Sequence, residues 1–298
     1  MSDEIRSEPP PVASQTNTLK VIRFTRNWGD TIGAYVYKVL SGRTPRTIRM
    51  ERQSRGTHYL TVGSVLRMCD NNSIVWGSGF LTYNDDLGVL HWGKTNNECR
   101  LAPKVIHAVR GPLTRNKLIA MNVDCPAVFG DPALLFPIFY QPSIKRSYKL
   151  GVIPHFLDLA SPVLRTLRND DRVKIIRVVH SRLEYLPISN RRYLRFVDDI
   201  CRCEKIVSAS LHGLIVADAY GIPVHWMTMS KRATLDGFKY HDYFASVNRP
   251  EGDAMVIDRD CSFQSVMRCF KAYSTRIHVE QLLESCPFRR ESVERFEG

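Results

Sequence analysis

The strongest constraint on the fold is a unit that recurs along the chain. A short apolar run is followed by a turn carrying glycine beside a polar residue, and then by apolar residues at helical spacing. Residues 19 to 25 are rich in β-branched and aromatic types. After the "RNWGD" turn, Ile32, Tyr35, Val36, Val39 and Leu40 recur as one helical face, with Gly42 as the stop. The unit returns as "NSIVWGSGF", a strand with a glycine turn. It returns again as "KVIHAVRGPLTRNKLIAMN", where Pro112 falls near the first helical position, and as "PAVFGDPALLF", a strand with a Gly-Asp-Pro turn. A second series begins near Tyr148. "YKLGVIPHFLD" and "VKIIRVVHS" read as strands, "SNRRYLRFVDDICRCE" as a helix, and "IVSASLHGLIVADAYGIPVHW" as strand, helix and strand. "FQSVMRCF" and "HVEQLLESC" close the chain as helices.

Strands alternating with helices form parallel sheets covered on both faces. Two such series predict an α/β protein of two Rossmann-like, doubly wound domains facing each other across a cleft. Residues 18–145 form the first and 146–298 the second, with the boundary near "FYQPSIKRSY", where Pro and basic residues interrupt the apolar pattern. Residues 1–17 combine Pro, Ser and charge with almost no large apolar side chain and read as a flexible leader.

The net charge of +12, from 42 Lys and Arg against 30 Asp and Glu, directs the protein toward anionic partners. Arginines are spread along the chain and no nucleic-acid motif accompanies them, so nucleic acid is not an expected partner. No signal peptide or bilayer-length apolar run is present. The expected location is the cytoplasm, where a basic face can dock on the inner face of an anionic membrane. The eight cysteines are scattered singly apart from "CRC", as reduced thiols are, and no metal site is expected there because positions two apart in a helix do not face each other.

Ligands of open parallel sheets gather at the carboxyl ends of the strands, and the unusual turns are of that type. In "NWGD", Gly29 allows close backbone approach, and Asp30 either caps a helix beginning at Thr31 or faces a ligand. "WGSGF" spaces Gly77 and Gly79 as phosphate loops do, a weak signal without the Lys and Ser/Thr of a P-loop. The "NDD" that follows reads as a surface loop in preference to a metal-binding pair. Arg110, at a strand end and helix head, either grips an anion with two hydrogen bonds or pairs with an internal carboxylate such as Asp131. His212 stands at another helix head, followed by Gly213, and is either a satisfied core residue or a titrating one. His155 and Asp158 end a strand in "IPHFLD", and His180 ends another.

These turns, in this order, resemble the polysaccharide pyruvyl transferase family. The blocks are "NWGDTIGAYVYKVLSG", "HYLTVGSVLRMCDNNSIVWGSGF", "VRGPLTRNKL", "VFGDPALLFP", "KLGVIPHFLD", "IVSASLHGLIVADAYGIP" and "GFKYHDYFASV". The resemblance implies a fold similar to glycosyltransferases of the two-Rossmann type (GT-B). It also implies transfer of the enolpyruvyl part of phosphoenolpyruvate onto two hydroxyls of a sugar, leaving a ketal and free phosphate, with no cofactor. The acceptor would be a sugar of a polysaccharide or its precursor, free or lipid-linked. His212 is then the general acid or a phosphate anchor, and Asp30, with Asp158 second, the base. Arg110, Gly29, Gly77, Gly79, Ser210, Gly213, His155 and Lys239 would line the donor site. Ser210 stands where the family often carries an arginine, and Lys239 or His241 of "GFKYHDYF" are the candidate replacements. The alternative on the same scaffold is a glycosyltransferase using a nucleotide sugar. A non-catalytic carbohydrate-binding remnant is a third reading, against which the joint presence of Asp30, Arg110 and His212 argues.

Overall fold

The computed structural model describes residues 18–21, 27–49, 56–87, 102–179, 191–230, 235–250 and 252–290. The expected leader and His180 lie outside these. The architecture is α/β, built on two five-stranded parallel sheets. The first has β1 (Thr18–Val21), β2 (Arg46–Arg49), β3 (His58–Leu60), β4 (Ser73–Trp76) and β5 (Val105–Ala108), in the order β2-β1-β3-β4-β5. The second has β6 (Tyr148–Ile153), β7 (Val173–Ile175), β8 (Cys203–Ser208), β9 (Val224–Thr228) and β10 (Met255–Val256), in the order β10-β9-β8-β6-β7.

Helix α1 (Trp28–Ser41) shows why the helical face read from the sequence is wider than one stripe. It packs on β1 and also on α5 (Arg191–Cys201) beside the second sheet, so Trp28, Tyr35, Val36, Tyr37 and Val39 are all buried. The Trp28 ring lies 4.9 Å from Phe196 and 5.4 Å from Phe136. Its indole N–H donates to the Tyr193 carbonyl at 2.9 Å, and its backbone N–H to the Val178 carbonyl at 2.7 Å. Gly42 ends the helix at φ 70°, its N–H returning to the Lys38 carbonyl, a conformation that carries no Cβ penalty in glycine. Helix α6 (Leu211–Ala219) is buried on every side from Leu211 to Asp218, because it sits against β8, β9, α5 and the 3-10 turn Pro132–Leu135. One apolar cluster therefore runs from Leu19 and Tyr59 of the first sheet through α1 and α6 to Ile206 and Val224 of the second.

Several expectations change. "PAVFGD" makes only a single parallel bridge, Phe129 to Val109, because Gly130 at φ 144° and Asp131 turn the chain at once into the 3-10 helix. Strands β2 and β3 escape the sequence pattern because they are short and flanked by polar residues. "CRC" is not within one helix: Cys201 ends α5 and Cys203 opens β8. Burial pushes both thiols up to about 12, which keeps them protonated. The described cysteines are free. No helix among the described residues is long and apolar enough to cross a membrane.

The last helices, α8 (Phe263–Arg268) and α9 (Val279–Glu284), part company. Helix α8 packs its Val266 into the second sheet's outer cluster. Helix α9 and the residues after it return to the first sheet. The Trp76 indole donates to the Leu282 carbonyl at 3.0 Å, and Phe288 fits among Tyr37, Tyr59 and Trp76 with centroids 4.7, 4.9 and 5.3 Å away. Phe288→Ala should cost about 3–5 kcal/mol of stability. Urea unfolding checks this as a fall in midpoint at constant slope.

Candidate functional site

Loops at the carboxyl ends of both sheets close around a cleft of about 320 Å³. Asn27 and Asp30 follow β1, Ser64 and Arg67 follow β3, and Leu81 follows β4. His155 and Phe156 follow β6, and Ser210, Leu211 and His212 follow β8. Leu235 comes from the segment leading into α7 (Phe238–Ser246), and Lys239 from the first turn of that helix. This is the location that parallel topology dictates for ligands.

Asp30 is not the cap of its helix. Helix α1 starts at Trp28, and the Asn27 carboxamide accepts the Gly29 N–H at 3.0 Å. That leaves the Asp30 carboxylate in the first turn, lining the cleft.

Across the cleft, His212 depends on Gly29 for its place. A Cβ on Gly29 would fall 1.9 Å from His212 Nδ1, so no other residue type leaves the ring where it is. The other ring nitrogen, Nε2, is buried with no hydrogen-bond partner among the described residues, and it lies 3.6 Å from Oδ2 of Asp131, which also has none there. Oδ1 of Asp131 is held by the Ala133 N–H at 2.9 Å. The carboxylate thus caps the 3-10 helix with one oxygen and faces the imidazole with the other. Ser210 occupies the cap position of α6 without a side-chain cap bond, and its backbone is fixed on both sides by the Ser208 hydroxyl, at 2.8 and 3.1 Å. Gly213 is a packing glycine, since a Cβ there would meet Ser208 Oγ at 2.3 Å and Ile153 at 2.7 Å.

Arg110 is placed differently from a ligand-gripping arginine. It is fully buried, and its partner is Asp242 of α7, not Asp131. Nε donates to Asp242 Oδ2 at 2.9 Å, Nη1 to Ser64 Oγ at 2.7 Å and Nη2 to the Phe80 carbonyl at 2.6 Å. Asp242 also takes the N–H and hydroxyl of Thr114, at 2.8 and 2.7 Å, in the first turn of α2 (Pro112–Ala120). The anion that this helix head and its arginine invite is therefore present as an internal carboxylate. Gly79 makes room for the guanidinium, and Gly77, at φ 85°, for Pro132. Neither lines the cleft, and neither does Asp158, whose Oδ2 accepts from the Ser230 hydroxyl at 3.2 Å. Asp85 of "NDD" is engaged locally, accepting the Leu81 and Thr82 N–H groups. Among the described residues no group of three His, Cys, Asp or Glu side chains is arranged to hold a metal ion.

The titrating groups of the cleft are shifted by its walls. Burial, and next the Lys239 charge, push His155 down to about 4, and its Nδ1 accepts the Leu157 N–H. Burial, and next the Arg110 charge, push Lys239 down to about 8, with Asp30 and Asp236 opposing. His241, the other replacement cation considered, stands edge-on to Trp226 and is not among the lining residues. Arg67, on the 3-10 turn Leu66–Met68, joins the cleft without having been singled out from the sequence. Its only local signal is a position just past a short, easily overlooked strand.

A family model described as polysaccharide pyruvyl transferase matches residues 20–231, and the chain belongs to that family. The family marks it as a transferase of polysaccharide biosynthesis with a carbohydrate acceptor. An uncharacterized protein of Acanthamoeba polyphaga mimivirus is 28% identical over 224 residues, 74% of this chain and 70% of that protein. A crystal structure of an uncharacterized protein from Klebsiella pneumoniae subsp. pneumoniae covers 76% of this chain and 87% of its own, at 13% identity and a TM-score of 0.41.

Two outcomes follow from the buried charges. Asp242→Ala strands Arg110 and should cost about 3–5 kcal/mol in denaturant unfolding, whereas the paired change Arg110→Met with Asp242→Leu should recover much of that loss. For His155 the depressed value means that the unfolded chain binds more protons between about 6.5 and about 4. Its contribution is present above the unfolded value and lost as pH falls toward 4. His155→Gln should flatten the slope of stability against pH in that window.

Proposed function

We propose that the chain transfers the pyruvyl group of phosphoenolpyruvate onto two hydroxyls of a sugar as a ketal. In this reading the two sheets belong to two Rossmann-like domains, 18–145 and 146–298, in a GT-B-like arrangement. The donor lies in the cleft between them, and no cofactor takes part. The observation that carries the reading is the meeting of Asp30 and His212 from opposite sides of one cleft, with Gly29 shaped to the imidazole and Asp131 behind it.

The chemistry needs a proton delivered to carbon and a proton removed from oxygen. His212 gives the Nδ1 proton to the methylene carbon of phosphoenolpyruvate, and positive charge develops at the adjoining carbon, shared with its ester oxygen. Asp131, 3.6 Å from Nε2, holds the ring from behind and fixes which nitrogen carries the exchanged proton. The first sugar hydroxyl adds to the cationic carbon and passes its proton to Asp30. The bond from that carbon to the phosphate oxygen then breaks, inorganic phosphate leaves, and the second hydroxyl adds to complete the ketal. Of the two hydroxyl protons, one replaces the proton given by His212 and the other leaves with the phosphate. The acceptor, free or lipid-linked, approaches from the Asp30 side. A location in the cytoplasm, with the basic surface against an anionic membrane face, suits a lipid-linked acceptor.

A thermal-shift panel of phosphoenolpyruvate, UDP, GDP and nucleotide sugars tests the donor. Stabilisation by phosphoenolpyruvate is expected, and a response to nucleotides alone would sink the proposal. With an acceptor present, His212→Ala should lower phosphate release by about 10²-fold or more. Gly29→Ala should lower it comparably while the helix stays folded, because the atoms nearest the intruding methyl are those of the His212 ring. In a His212→Ala background the Gly29→Ala change should cost little more, and a fully additive loss would contradict the assigned contact.

A further inference from the structure

Beyond the acid and base, the cleft carries two cations that its own walls leave under-satisfied. Arg67 comes from the turn after β3 and Lys239 from the first turn of α7, so the two stand on different halves of the chain and line the same space. The Arg67 Nε is buried and has no hydrogen-bond partner. Its Nη1 meets Asp85 Oδ1 only at 3.6 Å, because the Asp85 oxygens are held by the Leu81 N–H, the Thr82 N–H and the Thr82 hydroxyl. A buried guanidinium N–H without an acceptor is costly, so the missing partner is an acceptor that the described residues do not supply.

Lys239 is short of counter-charge in the same way. Its ammonium lies 4.9 Å over the Tyr240 ring and feels Arg110 behind it, with Asp30 and Asp236 as the opposing carboxylates and neutral His155 beside it. Both oxygens of Asp236 are engaged, Oδ2 by the Tyr83 N–H at 2.6 Å and Oδ1 by the Phe238 N–H at 3.1 Å. Arg110 itself is fully buried and paired to Asp242, and it is not among the described residues lining the cleft. Among the described residues lining the cleft, Arg67 and Lys239 are the cations and Asp30 is the carboxylate.

We propose that Arg67 and Lys239 form a two-sided clamp for a small organic phosphate that carries a second anionic group, one cation to each end. Two cations on separate walls suit two separated charges better than one compact anion. The guanidinium meets its group through a planar fork, and the ammonium acts as a point charge. The identity of the ligand as phosphoenolpyruvate rests on the reading above; the clamp itself rests on the two side chains.

The clamp has a proton signature. An anion placed against Lys239 raises its proton affinity from about 8, so binding just above that pH draws a proton onto the protein. Phosphoenolpyruvate, with a phosphate second pKa of about 6, is fully ionised there and contributes none. Affinity should therefore decline as pH rises through and beyond this value.

Calorimetric titration of the full chain with phosphoenolpyruvate and, separately, inorganic phosphate, in two buffers of different ionisation enthalpy, reads both affinity and proton uptake. Wild type should take up a proton. Arg67→Met and Lys239→Met should each weaken phosphoenolpyruvate by about tenfold or more. Lys239→Arg should bind it with little loss and no uptake, an outcome that a purely structural lysine would not produce. Unchanged affinity in both Met variants, binding without proton uptake in wild type, or binding of neither anion would overturn the clamp. Normal turnover of phosphoenolpyruvate in both Met variants would remove the clamp and leave the pyruvyl reading standing. Phosphate binding that depends on both cations, with no binding of phosphoenolpyruvate, would do the reverse.

Discussion

The buried pair of Arg110 and Asp242 is the interaction on which the geometry of the cleft depends. Its members lie 132 residues apart, and neither is exposed. Arg110 ties down Ser64 and the Phe80 carbonyl, which sit in the loops after β3 and β4. Asp242 belongs to the helix that begins with Phe238 and Lys239. Three segments that border the site are thus fixed by one guanidinium and one carboxylate. A buried ion pair is a weak source of net stability, but breaking it leaves an uncompensated charge, so it selects one arrangement over its competitors.

The same pair sets the electrostatics of the site. The Asp242 carboxylate sits at the α2 head and accepts the Thr114 N–H and hydroxyl, the place where a bound anion would otherwise stand. The Arg110 charge still reaches Lys239 and, together with burial, keeps its ammonium poorly stabilised. In the proposed clamp, anion recognition falls to side chains at the cleft surface and not to the arginine at the strand end.

The His212 side shows a related economy of space. Gly29 is absent of side chain where the imidazole enters, and Asp131 uses one oxygen for a helix cap and the other for the ring. Each of these residues is unremarkable by itself. Their chemistry appears only when α1, the 3-10 turn and α6 converge, which the aromatic packing of Trp28 on Phe136 and Phe196 enforces.

The order of strands, turns and helices was legible because each local pattern has one stable solution: β-branched runs extend, helical spacing makes a buried face, and glycine or proline punctuates between them. That alternation determined parallel sheets, and with them the carboxyl-end turns where Asp30 and His212 stand. Short elements such as β3 carried too few residues to show a period, and Arg67 was hidden with them. Which carboxylate would answer Arg110, and whether Asp30 would cap its helix or face the cleft, is not written in any local pattern. Only the tertiary structure decided these. Periodicity follows from local backbone geometry and is written in neighbouring residues. The pairing of buried charges follows from what the folded chain brings together across more than a hundred positions.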